Sequence, residues 1–254
     1  MDIKVVIAAH KPYRMPADPM YVPVQAGKAI NDPIEGYTGD DSGDNMSEKN
    51  PLYCELTCLY WAWKNLAADY LGLAHYRRHF TVTGGSDKWQ RILTKPQAEQ
   101  LLSKADVILP KKRIYAIETL YSHYAHSHHA NDLDITRQVI SESYPDYLAA
   151  FDEVMKRRAA HMFNMCIMKR EVLDGYLTWM FGVLSGVEEK LDISQYSDFD
   201  KRVFGRISEL LMDVWITKNN IKYAEAGMIN MDGENWPKKI ALFIKRKLSS
   251  GKNG

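Results

Sequence analysis

Cysteine is scarce: Cys54, Cys58 and Cys166 are the only three in a chain of 254 residues. That count excludes a disulfide framework and implies a reducing compartment. Cys54 and Cys58 lie one helical turn apart beside an apolar face, so they read as core thiols rather than metal ligands. No apolar run approaches the length of a membrane span. Met1-Asp2-Ile3-Lys4 runs straight into an apolar segment, without the charged and then apolar regions of a leader, so no signal peptide is expected. Excess charge is also lacking. A net charge of +1 argues against bulk nucleic-acid binding by the whole chain.

What is present is an ordinary globular composition, 46% hydrophobic and 26% charged. The length suits one large domain or two small ones with a sizeable core. The charge is uneven. From Trp236 onward there are six Lys/Arg and no Asp/Glu, leaving 27 basic and 32 acidic residues before it. We therefore expect a single domain over 1–235 and a separate basic amphipathic tail over 236–254. WPKKIALFIKRKL in that tail interleaves apolar and cationic side chains behind a Trp, which suits an anionic membrane surface. A docked C-terminal helix with solubilising lysines is the alternative.

Ile3–Ala9 (IKVVIAA) is a continuous apolar, β-branched run and reads as a buried parallel strand, with His10 and Lys11 at its carboxyl end. Pro-rich sequence follows, in which Tyr21–Gln25 suits an edge strand. The run around Asp40, Asp41 and Asp44 lacks an EF-hand's terminal Glu and reads as a Gly/Asp-rich turn. Lys95–Lys104 reads as a helix and Ala105–Pro110 as a strand. Alternation of strand and helix over this half predicts an α/β protein with a mostly parallel central sheet flanked by helices. Farther on, Ile135–Lys156 reads as a helix broken near Pro145 and His161–Met168 as a strand. Arg170–Glu189 and Asp200–Trp215 read as helices, the latter carrying Arg202, Arg206 and Glu209, and Ile221–Ala226 as a last strand.

The organising stretch is Asn50–Phe80. Asn50-Pro51 starts a helix, and Leu52, Leu56, Leu59 and Trp63 form one apolar face. Tyr70–Ala74 is a short apolar run containing Gly72, which suits a central strand with a close neighbour on its backbone. It ends in His75, Tyr76, Arg77, Arg78 and His79. Ligands of open α/β sheets bind beyond the carboxyl ends of strands, and guanidinium matches phosphate oxygens. The pair Arg77-Arg78 is therefore a candidate anion site, with a solvated strand end as the alternative. His123, His126, His128 and His129 lack zinc-site spacing and read better as an acceptor-sugar platform, in which Asp132 or Asp134 could take a hydroxyl proton.

Several blocks together resemble one family: IAAHKPY, VPVQAG, DDSGDNMSEKNPLYCELTCLYWAWKN, LGLAHYRRHF, ILPKK, NMCIMKREVLDGYLTWMFGVL and RVFGRISELLMDVW. Over roughly residues 3–225 the chain resembles the bacterial capsular and exopolysaccharide glycosyltransferases formerly catalogued as a domain of unknown function. The resemblance implies a GT-A-like nucleotide-sugar fold and sugar transfer, with galactofuranose a donor sugar of relatives. It implies a nucleotide-sugar donor, UDP-linked by expectation, and a lipid-linked glycan acceptor; the near-neutral charge argues against nucleic acid as a partner, and the basic tail would hold a cytoplasmic enzyme peripherally at the membrane.

Such enzymes usually place Asp-X-Asp with a divalent metal where this chain has His75 and Arg77. Arg77 and Arg78 are expected to replace some or all of that metal's charge. His75 is the metal ligand if Mn2+ or Mg2+ is used. His10, Lys11, Gln25, Gly27, Asp41, Asn45, Ser47, Asn50 and Arg78 are the expected donor-binding residues. Asp132, Arg77 and His75 are the expected catalytic ones, with Asp132 as base and Asp134 and Glu209 as rivals. His128, His129, Asp134 and Glu209 are expected to bind the acceptor. The alternative is an α/β protein that binds a nucleotide or sugar without chemistry.

Overall fold

The computed structural model describes residues 1–82 and 84–232. The basic tail expected over 236–254, and the boundary at 235, lie outside those residues. The elements in chain order are β1 (Ile3–Ala9), β2 (Tyr21–Gln25), β3 (Thr38–Gly39), α1 (Asn50–Tyr53), α2 (Leu56–Asn65), β4 (Tyr70–His75) and β5 (Arg78–Thr81). Then come α3 (Lys95–Leu102), β6 (Val107–Pro110), β7 (Arg113–Ile114), α4 (Leu120–Ser127), α5 (Ala130–Ser143) and α6 (Leu148–Lys156). The last are β8 (Ala159–Ala160), β9 (Cys166–Lys169), α7 (Arg170–Lys190), α8 (Val203–Asn219) and β10 (Tyr223–Asn230).

Eight strands make one sheet in the order β3-β2-β1-β4-β5-β10-β6-β9, and β9 also pairs with β4. β7 and β8 form a separate antiparallel ribbon. β1 lies between β2 and β4, parallel to both, and so is buried on both faces, as its continuous apolar run requires. Successive side chains alternate between two cores. Val6 and Ala8 face the helices α2 and α5–α8, while Val5, Ile7 and Ala9 face the side closed by α3. Gly72 of β4 permits the β9 approach, since a Cβ there would stand 2.5 Å from the Cys166 carbonyl oxygen.

The expectation of a mostly parallel sheet is corrected. β1–β2, β1–β4, β2–β3 and β6–β10 are parallel, whereas β4–β5, β4–β9, β5–β10 and β6–β9 are antiparallel. A short apolar run looks the same in either direction, so hydrophobicity alone could not orient the later strands. The helix expected from Asn50 is interrupted at Cys54, whose φ is 53°. The strand expected over His161–Met168 begins only at Cys166, because Phe163 and Asn164 have φ of 77° and 54°. These two departures face each other.

Candidate active site

β4 keeps β1 beside it through His75 but loses β9 at its carboxyl end. β9 pairs with it only as far as Leu73, and β5 turns back through a single pair, His75 with Arg78. The divergence opens a cleft at the kind of position where α/β sheets hold ligands. Cys54, Phe163 and Asn164 stand around it in left-handed conformations that cost non-glycine residues of order 1–3 kcal/mol each.

Specific bonds hold that strain. The Asn164 amide donates to Glu55 Oε1 and to the Gly205 carbonyl, both at 2.9 Å, and its oxygen accepts from Ser208 Oγ at 2.8 Å. His75 Nε2 lies 2.6 Å from the Phe163 carbonyl, so that nitrogen is the donor. The Asn50 amide donates to the Cys54 carbonyl at 2.8 Å. Gly205 lets α8 press against the break, since a Cβ there would be 3.1 Å from Cys54 Sγ.

Two carboxylates meet in the cleft. Burial, and then the charge of Glu55, push the Glu209 carboxyl up to about 8 against the opposing pull of Arg78, Arg113 and the Phe163 N–H. Arg202, Arg206 and Glu209 share one face of the α8 segment by their spacing. Arg202 Nε donates to Cys54 Sγ at 3.1 Å. Burial pushes the Cys54 thiol up to about 11, which leaves it a poor nucleophile. The Arg206 guanidinium lies 4.2 Å from the Phe199 ring centroid and 3.7 Å from Asp200.

The opposite lip is cationic and aromatic. The His10 ring meets Tyr76 edge-on at 5.0 Å, and Lys11 Nζ and the Arg77 guanidinium stand 5.6 and 5.4 Å from that ring. Arg77 is half-exposed and reaches Asp232 at 3.4 Å, and Asp232 also accepts from the Tyr13 hydroxyl at 2.7 Å. Burial, followed by the charges of Lys11, Arg77 and Arg202, lowers the His10 pKa. Its ring therefore sits neutral in a positive field, the setting that attracts an anion. The Arg78 guanidinium lies 4.8 Å from the Phe163 ring, and burial lowers its pKa too.

The remaining expected donor residues are engaged with one another. Asp40, which the sequence places in a Gly/Asp-rich turn, is fully buried and accepts from the N–H groups of Gly27 and Lys28 at 2.9 and 3.0 Å and from Ser47 Oγ. Gln25 clamps Asp32 and Ile34, Asp41 pairs with Lys28, and Asn45 bonds Gly43 and Ser47. Gly27 has φ 66° and lies against Asn50. This web fixes the loop that delivers Asn50 and Glu55 to the cleft.

Asp132 is buried, with its two oxygens accepting from the hydroxyls of Tyr124 and Tyr196 at 2.8 and 2.7 Å. Burial raises its pKa, yet neither oxygen is free to face a substrate. Asp134 is two residues along the same helix, hence on another face, where it accepts from Tyr121 at 2.9 Å. His128 and His129 stand 3.9 and 3.8 Å from Asp200, with His129 stacked on Tyr196. Arg206 links that group to the cleft.

A resident divalent metal does not fit these residues. His75 Nε2 is committed to a carbonyl, and Glu55 at 3.9 Å is the carboxylate beside it. Among the described residues no group of three or more His, Cys, Asp or Glu is arranged to hold a metal ion. Also among the described residues, no helix is long and apolar enough to cross a membrane.

The family model of DUF4422, a domain of unknown function, matches residues 4–220. This chain belongs to the DUF4422 family. The DUF4422 chain is also similar to the solved apo structure of WbbM, a bifunctional glycosyltransferase, with a TM-score of 0.85 and 29% sequence identity. The match covers 92% of this chain and 46% of that one, so the chain spans a little under half the length of its relative. No curated protein matches it. The similarity shows a mixed α/β fold shared with part of that chain.

Glu55, Arg202 and Arg206 are the cleft residues that sequence reading left out of the site. Glu55 had a signal. It flanks the apolar face drawn by Leu52, Leu56 and Leu59, where a carboxylate needs a reason.

Proposed function

We propose that this DUF4422 protein is a glycosyltransferase of GT-A-like fold that moves a sugar from a nucleoside diphosphate to a glycan hydroxyl, with Glu209 as general base. The observation that carries the reading is the Glu209–Glu55 pair inside a ring of guanidinium groups, framed by three strained residues. In the reaction, the acceptor oxygen attacks the anomeric carbon and its proton passes to Glu209. The bond from that carbon to the diphosphate oxygen breaks as this one forms. Arg77, Arg78 and Arg202, with Lys11, meet the charge gathering on the departing diphosphate, the task a metal performs elsewhere. A positioned carboxylate whose proton affinity lies near neutrality suits the base role. Asp132 then serves the fold rather than the chemistry.

UDP is the first donor nucleotide to test and UDP-galactofuranose the first sugar conjugate, on the resemblance noted above. The same resemblance makes a lipid-linked glycan the acceptor and the cytoplasmic membrane face its place. A melting-temperature panel of UDP, GDP, CMP and dTDP tests the donor reading, because a ligand that binds the folded state raises Tm. UDP alone is expected to raise it, equally with EDTA and with manganese. No shift with any nucleotide would refute the donor site, and a shift only with manganese would refute the guanidinium replacement.

A further inference from the structure

Outside the cleft the structure holds a cavity of about 650 Å³ that the reaction above does not use. It lies where the carboxyl end of α8 meets β10 and the β7–β8 ribbon, and Lys112, Ile114, Arg158, Thr217, Asn220 and Tyr223 line it. Its volume falls in the range of small-ligand sites.

The charges there are unequally satisfied. Asp213, on the wall, is fully engaged: its two oxygens take the His161 backbone N–H at 2.7 Å and His161 Nδ1 at 2.8 Å. Glu225 is held by the same ring at 3.1 Å. Arg157 is tied to Glu153. Lys112 and Arg158, by contrast, form no ion pair among the described residues, and Lys112 Nζ stands 5.7 Å from the Tyr223 ring centroid. The local acids are spent on a buried histidine, while two cations face the space. Beside them are an aliphatic side chain that is 79% exposed, Ile114, a phenol ring, a hydroxyl and an amide. That mixture matches a ligand with C–H faces, hydroxyls and a carboxylate on one small body.

The cavity is also in line with the cleft. Arg113 lowers the Glu209 pKa and lies 5.2 Å from the Tyr115 ring, so it serves the cleft, while its neighbours Lys112 and Ile114 line the cavity. That is the alternation of an extended ribbon. Along α8, Arg206, Glu209, Asp213 and Thr217 follow one face, and Asn220 caps its carboxyl end. Glu209 and Thr217 are therefore about 12 Å apart along the helix axis, within reach of a short oligosaccharide.

We propose that this cavity binds a uronic acid residue of the acceptor glycan, two or three sugars from the one being extended. Its acceptor role rests on the transferase reading, whereas the binding itself does not. The test is calorimetric titration of the full chain with α-1,4-trigalacturonate, maltotriose and inorganic phosphate, for the wild type and the double variant K112E/R158E. Both positions are on the surface, and the UDP-induced Tm shift serves as the control for an intact cleft. Trigalacturonate is expected to bind at least tenfold more tightly than maltotriose and phosphate. The double variant is expected to lose at least tenfold of that affinity with an unchanged UDP shift. Equal binding of maltotriose, equal competition by phosphate, or wild-type affinity in the double variant would overturn the proposal. Variant-sensitive trigalacturonate binding in a protein that UDP does not shift would remove the transferase reading and leave the uronate site standing.

Discussion

Two polar regions flank the carboxyl ends of the parallel strands, and they behave in opposite ways. Around Asp40, the polar groups largely satisfy one another within the loop: Gly27, Lys28 and Ser47 close on the carboxylate, and Gln25 and Asn45 tie the adjoining turns. In the cleft, Glu209 is held beside Glu55 at the cost of a carboxyl raised to about 8, and the backbone is strained at Cys54, Phe163 and Asn164. Both regions are rich in charged and amide side chains. Self-satisfaction marks the first as scaffold. Unfavourable juxtaposition that the fold nonetheless maintains makes the second the candidate site.

The largest effect is expected from Glu209→Gln. Transfer should fall by about 10²–10⁴-fold with donor binding retained, measured as kcat against the UDP-induced Tm shift. The same change should stabilise the fold in alkali. Glu209 is raised in the folded state, so the folded protein holds its proton where the unfolded chain has lost it. Wild-type stability therefore declines as pH rises from the ordinary carboxylate range to about 8. Glu209→Gln escapes that loss, and its Tm should exceed wild type at pH 8 and converge with it at pH 4. Wild-type transfer should rise with pH along a limb near 8. A Glu209→Gln enzyme with near-wild-type kcat would erase the contrast between the two regions.

Asp40→Ala should act on the other side of the comparison. It strands the N–H groups of Gly27 and Lys28 and the Ser47 hydroxyl in a buried place, at a cost of roughly 3 kcal/mol in unfolding free energy by urea titration. The smallest effect is expected from Asp132→Asn. One tyrosine hydroxyl keeps only a neutral amide acceptor and the other loses its acceptor, for about 1–2 kcal/mol of stability, while kcat stays within about threefold of wild type. Loss of turnover in folded Asp132→Asn would move the chemistry away from α8.

Much of the framework was readable because it depends on local pattern. The β1 run, the Gly72 strand with a backbone pressed against it, and the helices over 95–104, 170–189 and 200–215 are each fixed by hydrophobic period and by Gly or Pro placement. β5 was hidden because Arg78–Thr81 looks like the tail of the strand before it. The Asn50 helix read as continuous because its apolar period does not register a single left-handed residue at Cys54. The cluster at the end of β4 was legible in the sequence, since its His and Arg directly follow the apolar run of the strand.

The sequence by itself determined the strand that ends in His75, the cations that follow it, the family to which the chain belongs and the absence of a disulfide scaffold. Those features depend on residue type and near-neighbour spacing. Only the tertiary structure decided the surroundings of each carboxylate. On paper Asp132 is the first choice of base, and Asp134 and Glu209 are its rivals. One is folded under two tyrosine hydroxyls, and the other is brought across more than a hundred residues to stand beside Glu55. Proton affinity depends on burial and on the charges that come within a few ångströms, and distance in the chain carries no information about either.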